Sequence, residues 1–161
     1  MTLLLVLLVL CGPVAAFLLV RWGVRGLRRD RRPGRTPRAQ AAFLGAAAVM
    51  LYAWGLLHVT FAVLEAEDGG TGSYPLRPCR TADEPDRALR VDGYHVNFVP
   101  PGFVCESPDG DYTAPVVPGL VGLAALGTAL AAGVAATAGA VQARGAATRQ
   151  PVSGSPGRRE P

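Results

Sequence analysis

The sequence predicts an all-α transmembrane fold: a three-helix membrane bundle with a small, disulfide-clipped extracellular loop that contains a β-hairpin. Three observations carry this. The apolar residues are gathered into three long blocks, arginine is concentrated on one side of those blocks, and two cysteines fall in the one long loop between them.

No charge lies between Thr2 and Val20, none between Ala39 and Leu64 apart from the titratable His58, and none between Thr113 and Gln142. A helix rises about 1.5 Å per residue, so roughly 20 apolar residues cross the ~30 Å hydrocarbon core. All three blocks are long enough. The expected divisions are a first membrane helix over residues 1–20, an arginine-rich cytoplasmic loop over 21–38 and a second membrane helix over 39–64. An extracellular loop domain over 65–114, a third membrane helix over 115–142 and a disordered cytoplasmic tail over 143–161 complete the chain.

Charge gives these spans a direction. The net charge of +4 is a sum of unlike parts. Residues 21–38 hold eight arginines against Asp30, residues 64–114 hold four arginines against ten acids, and residues 142–161 hold four arginines against Glu160. Basic short loops stay on the cytoplasmic side. Both basic segments share that side if the N-terminus and the acidic loop are outside and the C-terminus is cytoplasmic. The location this implies is the cell membrane. A cleavable signal peptide is the competing reading of the first block, because Val14-Ala15-Ala16 has a small-x-small pattern. No basic residue precedes the block, however, and cleavage would export the arginines, so a retained helix is expected.

The first helix is rich in leucine and valine, and Pro13 is expected to kink it. Pro33, Gly34 and Pro37 should break the chain before the second helix. That helix ends with Tyr52, Trp54, His58 and Phe61 toward the outside. The third is almost entirely Ala, Gly, Val and Leu, with Pro115 and Pro118 tolerated at its start. The tail after Ala143 lacks the residues for a core and should be disordered. All sixteen basic residues are arginine, lysine and isoleucine are absent, and Asn97 is the single asparagine. This usage points to a GC-rich genome, so alanine and glycine count for less as packing signals.

Within the loop, Gly69, Gly70 and Gly72 mark residues 66–73 as a linker. Tyr94, Val96 and Phe98 alternate with His95, Asn97 and Val99, the period of a strand. Pro100-Pro101-Gly102 supplies turn chemistry, with Pro101 expected at the second turn position and Gly102 at positive φ. Phe103-Val104-Cys105 then reads as a short return strand. Cys79 and Cys105 lie in the loop assigned to the oxidising side, where thiols pair. A bridge would close a ring of about 26 residues and contribute roughly 3.5 kcal/mol by the chain-entropy estimate. A redox pair or a metal site is the rival reading. The pair lacks CxxC spacing, and His95 would make only a third ligand, so neither a metal nor a cofactor is implied. Cys11, inside the first helix, reads as an inert apolar residue.

His58 is the one ionisable side chain well inside a predicted span, which makes it the candidate intramembrane polar site. Trp54 lies one turn before it, Met50 two turns before it and Glu65 two turns after. The plain reading is a neutral imidazole near the outer interface, bonded to a backbone carbonyl or another helix. In the third helix, small residues recur at four-residue steps as Ala125, Ala129, Gly133 and Thr137, and again as Thr128, Ala132, Ala136 and Ala140. Such ridges allow close approach within the bundle, to a second copy, or to a membrane-protein partner. The arginines of 21–38 lie against the lipid bilayer, chiefly as a topology anchor. No aromatic or folded platform for nucleic acid is visible.

Gly93-Tyr94, Phe103-Val104-Cys105-Glu106, Tyr112 and Val116-Val117-Pro118-Gly119 resemble uncharacterised small multi-pass membrane proteins of actinomycetes. The resemblance spans roughly residues 79–120. It implies a cell-membrane location and no particular chemistry.

The residues therefore point away from an enzyme, since Asp109, Asp111, Glu106 and His95 are the sole catalytic cluster to suggest and acids beside glycines in a turn are usually solvated. The expected function is a non-enzymatic envelope protein that binds a partner or ligand through its extracellular loop. The alternative is an accessory subunit of a transporter or membrane electron-transfer complex centred on His58.

Overall fold

The structure, a computed structural model, describes residues 2–28, 35–68, 75–80 and 85–148. Three long helices, α1 (Thr2–Arg28), α2 (Arg35–Glu67) and α4 (Gly119–Thr148), are apolar and long enough to cross a membrane. Between α2 and α4 come a 3-10 turn at Arg77–Cys79, a single-turn helix α3 (Pro85–Ala88) and the strands β1 (Gly93–Phe98), β2 (Pro101–Glu106) and β3 (Tyr112–Ala114).

All three long helices outrun their predicted limits. Arginine is a good helix former, so a charge run does not end a helix until a breaker arrives. Helix α1 therefore continues through Arg21 and Arg25 to Arg28. Helix α2 begins at Arg35, with Pro37 in its first turn, where a missing N–H costs nothing. The breakers Pro33 and Gly34 lie outside the described residues, as do the linker glycines 69, 70 and 72. At the other end α2 runs past Leu64 to Glu67. Helix α4 begins at Gly119 rather than at residue 115, with the Pro118 carbonyl accepting its first bond from the Val121 amide at 2.9 Å. It continues to Thr148, so residues 143–148 are helical rather than part of a disordered tail; residues 149–161 lie outside the described residues.

Helix α2 packs against both α1 and α4. Its contact with α1 is close because glycine faces alanine: Cβ atoms built on Gly12 and Gly23 would lie 2.8 Å from Ala53 Cβ and 3.2 Å from Ala42 Cβ. An advance of eleven residues along α1 matches a retreat of eleven along α2, so the pair is antiparallel and does not slip in register. The face of α4 turned inward takes Ala125 from one predicted ridge and Thr128 and Ala132 from the other. Ala125 and Gly139 are buried and Thr128, Ala132 and Ala135 half-buried, a three-and-four repeat, whereas Ala129, Gly133 and Thr137 face away. Steps of three and four follow the side of a helix that meets a neighbour along its length, while constant steps of four drift off it.

The sheet is antiparallel with order β1-β2-β3. Tyr94, Val96 and Phe98 do share the inward face, as the alternation predicts. The turn lies earlier than expected, at Val99-Pro100, with a cis peptide between them; Pro101 and Gly102 are already in β2, and Gly102 does not adopt positive φ. Three turn-forming residues in a row left the choice open, and cis proline at the third turn position is one defined solution. Strand β3 was not foreseen, since three residues are too few to show a period. Gly110, with φ of +112°, closes the β2–β3 turn, where its amide donates to the Ser107 carbonyl at 2.9 Å.

One buried cluster joins the sheet to the helices. Leu5 of α1 and Leu56 and Val59 of α2 belong to the same core as Phe103, Val96 and the two paired cysteines. The core therefore sits at one end of the bundle, here termed the sheet end, and the opposite end carries Arg21, Arg25, Arg28 and Arg38.

Candidate functional site

The predicted disulfide is present. Cys79 and Cys105 are bonded, with Cα atoms 6.0 Å apart and a sequence separation of 26, and both are fully buried. The bridge ties the 3-10 turn to the next-to-last residue of the central strand β2. Tyr112 of β3 reinforces the same junction: its hydroxyl donates to the Cys79 carbonyl at 2.7 Å.

Two further tyrosines moor the sheet to α2. The Tyr52 hydroxyl donates to the Phe98 carbonyl at 2.8 Å, and the Tyr94 hydroxyl to Glu67 Oε1 at 3.0 Å. Tyr94 also stacks on Phe103, with ring centroids 4.7 Å apart. Burial, then the hydrogen bond to Glu67 and the charge of that carboxylate, raise the Tyr94 phenol above its usual value. Sequence reasoning missed these moorings. The available signal was the choice of tyrosine rather than phenylalanine on an apolar face, which implies a bonded hydroxyl.

The hairpin tip is wedged against two helices. A Cβ on Gly55 of α2 would lie 2.9 Å from Pro101 Cγ and 3.7 Å from Val121 of α4, and one on Gly122 would lie 3.7 Å from Pro100 Cβ. Gly55 thus opens the space that the proline ring fills. With a disulfide at its base, tyrosines at its sides and this tip below, the sheet is fixed on the helices from three directions.

The opposite face of the sheet is polar. His95, Asn97, Glu106 and Thr113 alternate with the inward residues, and His95 Nδ1 donates to Glu106 Oε1 at 2.8 Å with both side chains about half exposed. Val104, the cross-strand partner of both His95 and Thr113, is buried in the centre. Of the catalytic cluster considered from sequence, the structure brings only His95 and Glu106 together. Asp109 is instead paired with Arg90 at 3.0 Å. Arg87 lies 4.6 Å from the centroid of the Tyr112 ring and donates to the Gly110 carbonyl at 3.3 Å, so Arg87 and Arg90 are both built into the loop. Among the described residues no group of three or more His, Cys, Asp or Glu side chains is arranged to hold a metal ion.

His58 sits on an exposed face of α2. Its Nδ1 lies 2.9 Å from the Trp54 carbonyl one turn back, and its ring meets the Trp54 indole edge-on at 5.2 Å. A carbonyl only accepts, so Nδ1 carries the proton. Trp54 and Phe61 on the same face are more than half exposed. The only other histidine, His95, is engaged with Glu106. Cys11 is a free thiol exposed on α1. No family model, curated protein or solved structure matches the chain.

Proposed function

We propose that this chain is a multi-pass cell-membrane protein, with its arginine end in the cytoplasm and its sheet end outside. There it acts without catalysis, by presenting the polar face of the sheet to a partner or ligand. The observation that carries the reading is the way the sheet is held. Disulfide, tyrosine hydrogen bonds and hairpin tip all immobilise the inward face, while His95, Asn97, Glu106 and Thr113 stay accessible. A rigid display loses little side-chain and backbone entropy on binding, which is what a recognition surface requires.

Orientation follows from charge. Every carboxylate among the described residues is at the sheet end, and the arginines of α1 lie at the other, the distribution that keeps basic segments inside. The alternative centred on His58 draws less support, because its Nδ1 proton is spent on a carbonyl of its own helix. A histidine and tryptophan together on an exposed helix face suit the membrane–water interface instead.

A photo-crosslinking residue at position 97, in living cells, tests the reading. The expected result is one recurrent adduct that is absent with the same residue at position 65 and absent when Cys79 and Cys105 are serine. Equal adduct patterns at positions 97 and 65 would remove the sheet face as the recognition surface.

A further inference from the structure

The arginine end carries its own organised surface. Arg21, Arg25 and Arg28 of α1 recur at steps of four and three, which places them in one row on one side of the helix, and all three are exposed. The row continues upward into apolar residues at the same spacing. Val14 and Leu18 are 60% and 57% exposed, and Phe17 beside them is 62% exposed. A single face of α1 therefore passes from apolar to basic within about two turns, with Trp22, 59% exposed, at the boundary.

These arginines differ from three of the four at the sheet end, which are used in the fold: Arg90 pairs with Asp109, and Arg87 and Arg80 bond backbone carbonyls. Among the described residues, no carboxylate lies at the arginine end and no ion pair engages Arg21, Arg25 or Arg28. Arg38 of α2 is a further exposed cation at the same end of the bundle.

We infer that this face of α1 is a binding surface for an anionic phospholipid, whose phosphate is held by Arg21, Arg25 and Arg28 and whose acyl chain lies along Val14, Phe17 and Leu18. The inference rests on the membrane placement proposed above, and not on the partner proposed for the sheet. Two properties select this occupant. Guanidinium groups match phosphate oxygens with paired donors. The basic row is continuous with an apolar strip, so the surface matches a molecule that is anionic at one end and hydrocarbon at the other. A topology anchor alone needs positive charge on that side of the membrane, in any arrangement. A row in register with an apolar strip is a stronger condition.

Trp22 supplies the reporter. The chain has two tryptophans, so Trp54→Phe leaves Trp22 alone at the site. The full-length variant is reconstituted in phosphatidylcholine vesicles, and its fluorescence is followed as brominated phosphatidylglycerol or brominated phosphatidylcholine replaces part of the lipid. The expected result is a preference for the anionic lipid of about fivefold, the ratio that one well-placed basic residue contributes. It should fall toward unity when Arg21, Arg25 and Arg28 are all glutamine, and persist in 10 mM inorganic phosphate. A companion protein with Trp22→Phe, reporting from Trp54, should show no preference. Equal quenching by both lipids at Trp22, a preference unchanged in the glutamine variant, or an equal preference at Trp54 would each overturn the inference. Loss of the preference in phosphate would assign the site to a soluble anion and overturn it as well. Quenching by neither lipid would instead refute the membrane placement, so the two failures are distinguishable. An Arg25→Gln single variant, with its disulfide verified by mass, repeats the test should the triple variant not fold.

Discussion

Helices α2 and α4 are alike in length and in mean hydropathy, yet they play opposite parts. Both are long and rich in alanine, but α2 carries Phe43, Tyr52, Trp54 and Phe61 where α4 has no aromatic residue. Helix α2 is gripped by α1, by α4 and by the sheet, and Leu56, Val59, Ala62 and Val63 are all buried. Helix α4 touches the rest through a narrow strip of small residues and leaves Leu120, Leu123, Leu130 and Val134 exposed. Overall hydropathy does not separate the two. Position does, because the sheet comes down on α2 at Gly55 and Tyr52 and meets only the first turn of α4. Two chemically similar glycines should then respond in opposite ways to substitution, and so should the sheet and the far end of α4.

The largest effect is expected at Phe103, fully buried where the sheet core meets the helices. Phe103→Ala should destabilise the protein by about 3–5 kcal/mol, read as loss of cooperative thermal unfolding in detergent by near-UV circular dichroism. Removing the bridge with Cys79→Ser and Cys105→Ser comes next. The closed ring predicts a loss of roughly 3.5 kcal/mol, and limited proteolysis should cut within the sheet end while α1 and α2 stay protected. Gly55→Val should cost about 1–3 kcal/mol, because a Cβ there meets the rigid Pro101 ring at 2.9 Å. Gly133→Leu is the smallest. No heavy atom lies within 4 Å of a Cβ there, so the unfolding midpoint should stay within the ~0.5 kcal/mol typical of surface substitutions. If Gly133→Leu instead changed the oligomeric state in sedimentation, the exposed ridge of α4 would be a contact between copies. If Gly55→Val and Gly133→Leu behaved alike, the contrast between the helices would collapse.

Much of this was readable in the residues, for identifiable reasons. The three membrane-length helices were legible because charge is excluded from their blocks for longer than a soluble helix allows. The bridge was legible because Cys79 and Cys105 are the two cysteines outside those blocks, and β1 because Tyr94, Val96 and Phe98 repeat every second residue. The helix ends were misread because arginine and glutamate favour helix as well as water. The hairpin turn depended on a contact distant in sequence, that of Pro101 with Gly55, which no local pattern encodes. The inward face of α4 was partly legible: Thr128 and Ala132 lie on a predicted ridge, but Ala135 and Gly139 belong to neither predicted row. The polar sheet face was half legible: the alternation placed His95 and Asn97 together, but the partner of His95 is Glu106 across the hairpin, visible only once the register is known.

The proposed role of each end depends on the side of the membrane on which it lies. Asn97→Cys and Arg144→Cys, each in a Cys11→Ser background, place a thiol at the sheet end and beyond the apolar span of α4. Labelling intact cells with a membrane-impermeant maleimide should modify position 97 at once and position 144 only after permeabilisation. Immediate labelling at position 144 with protection at position 97 would contradict it.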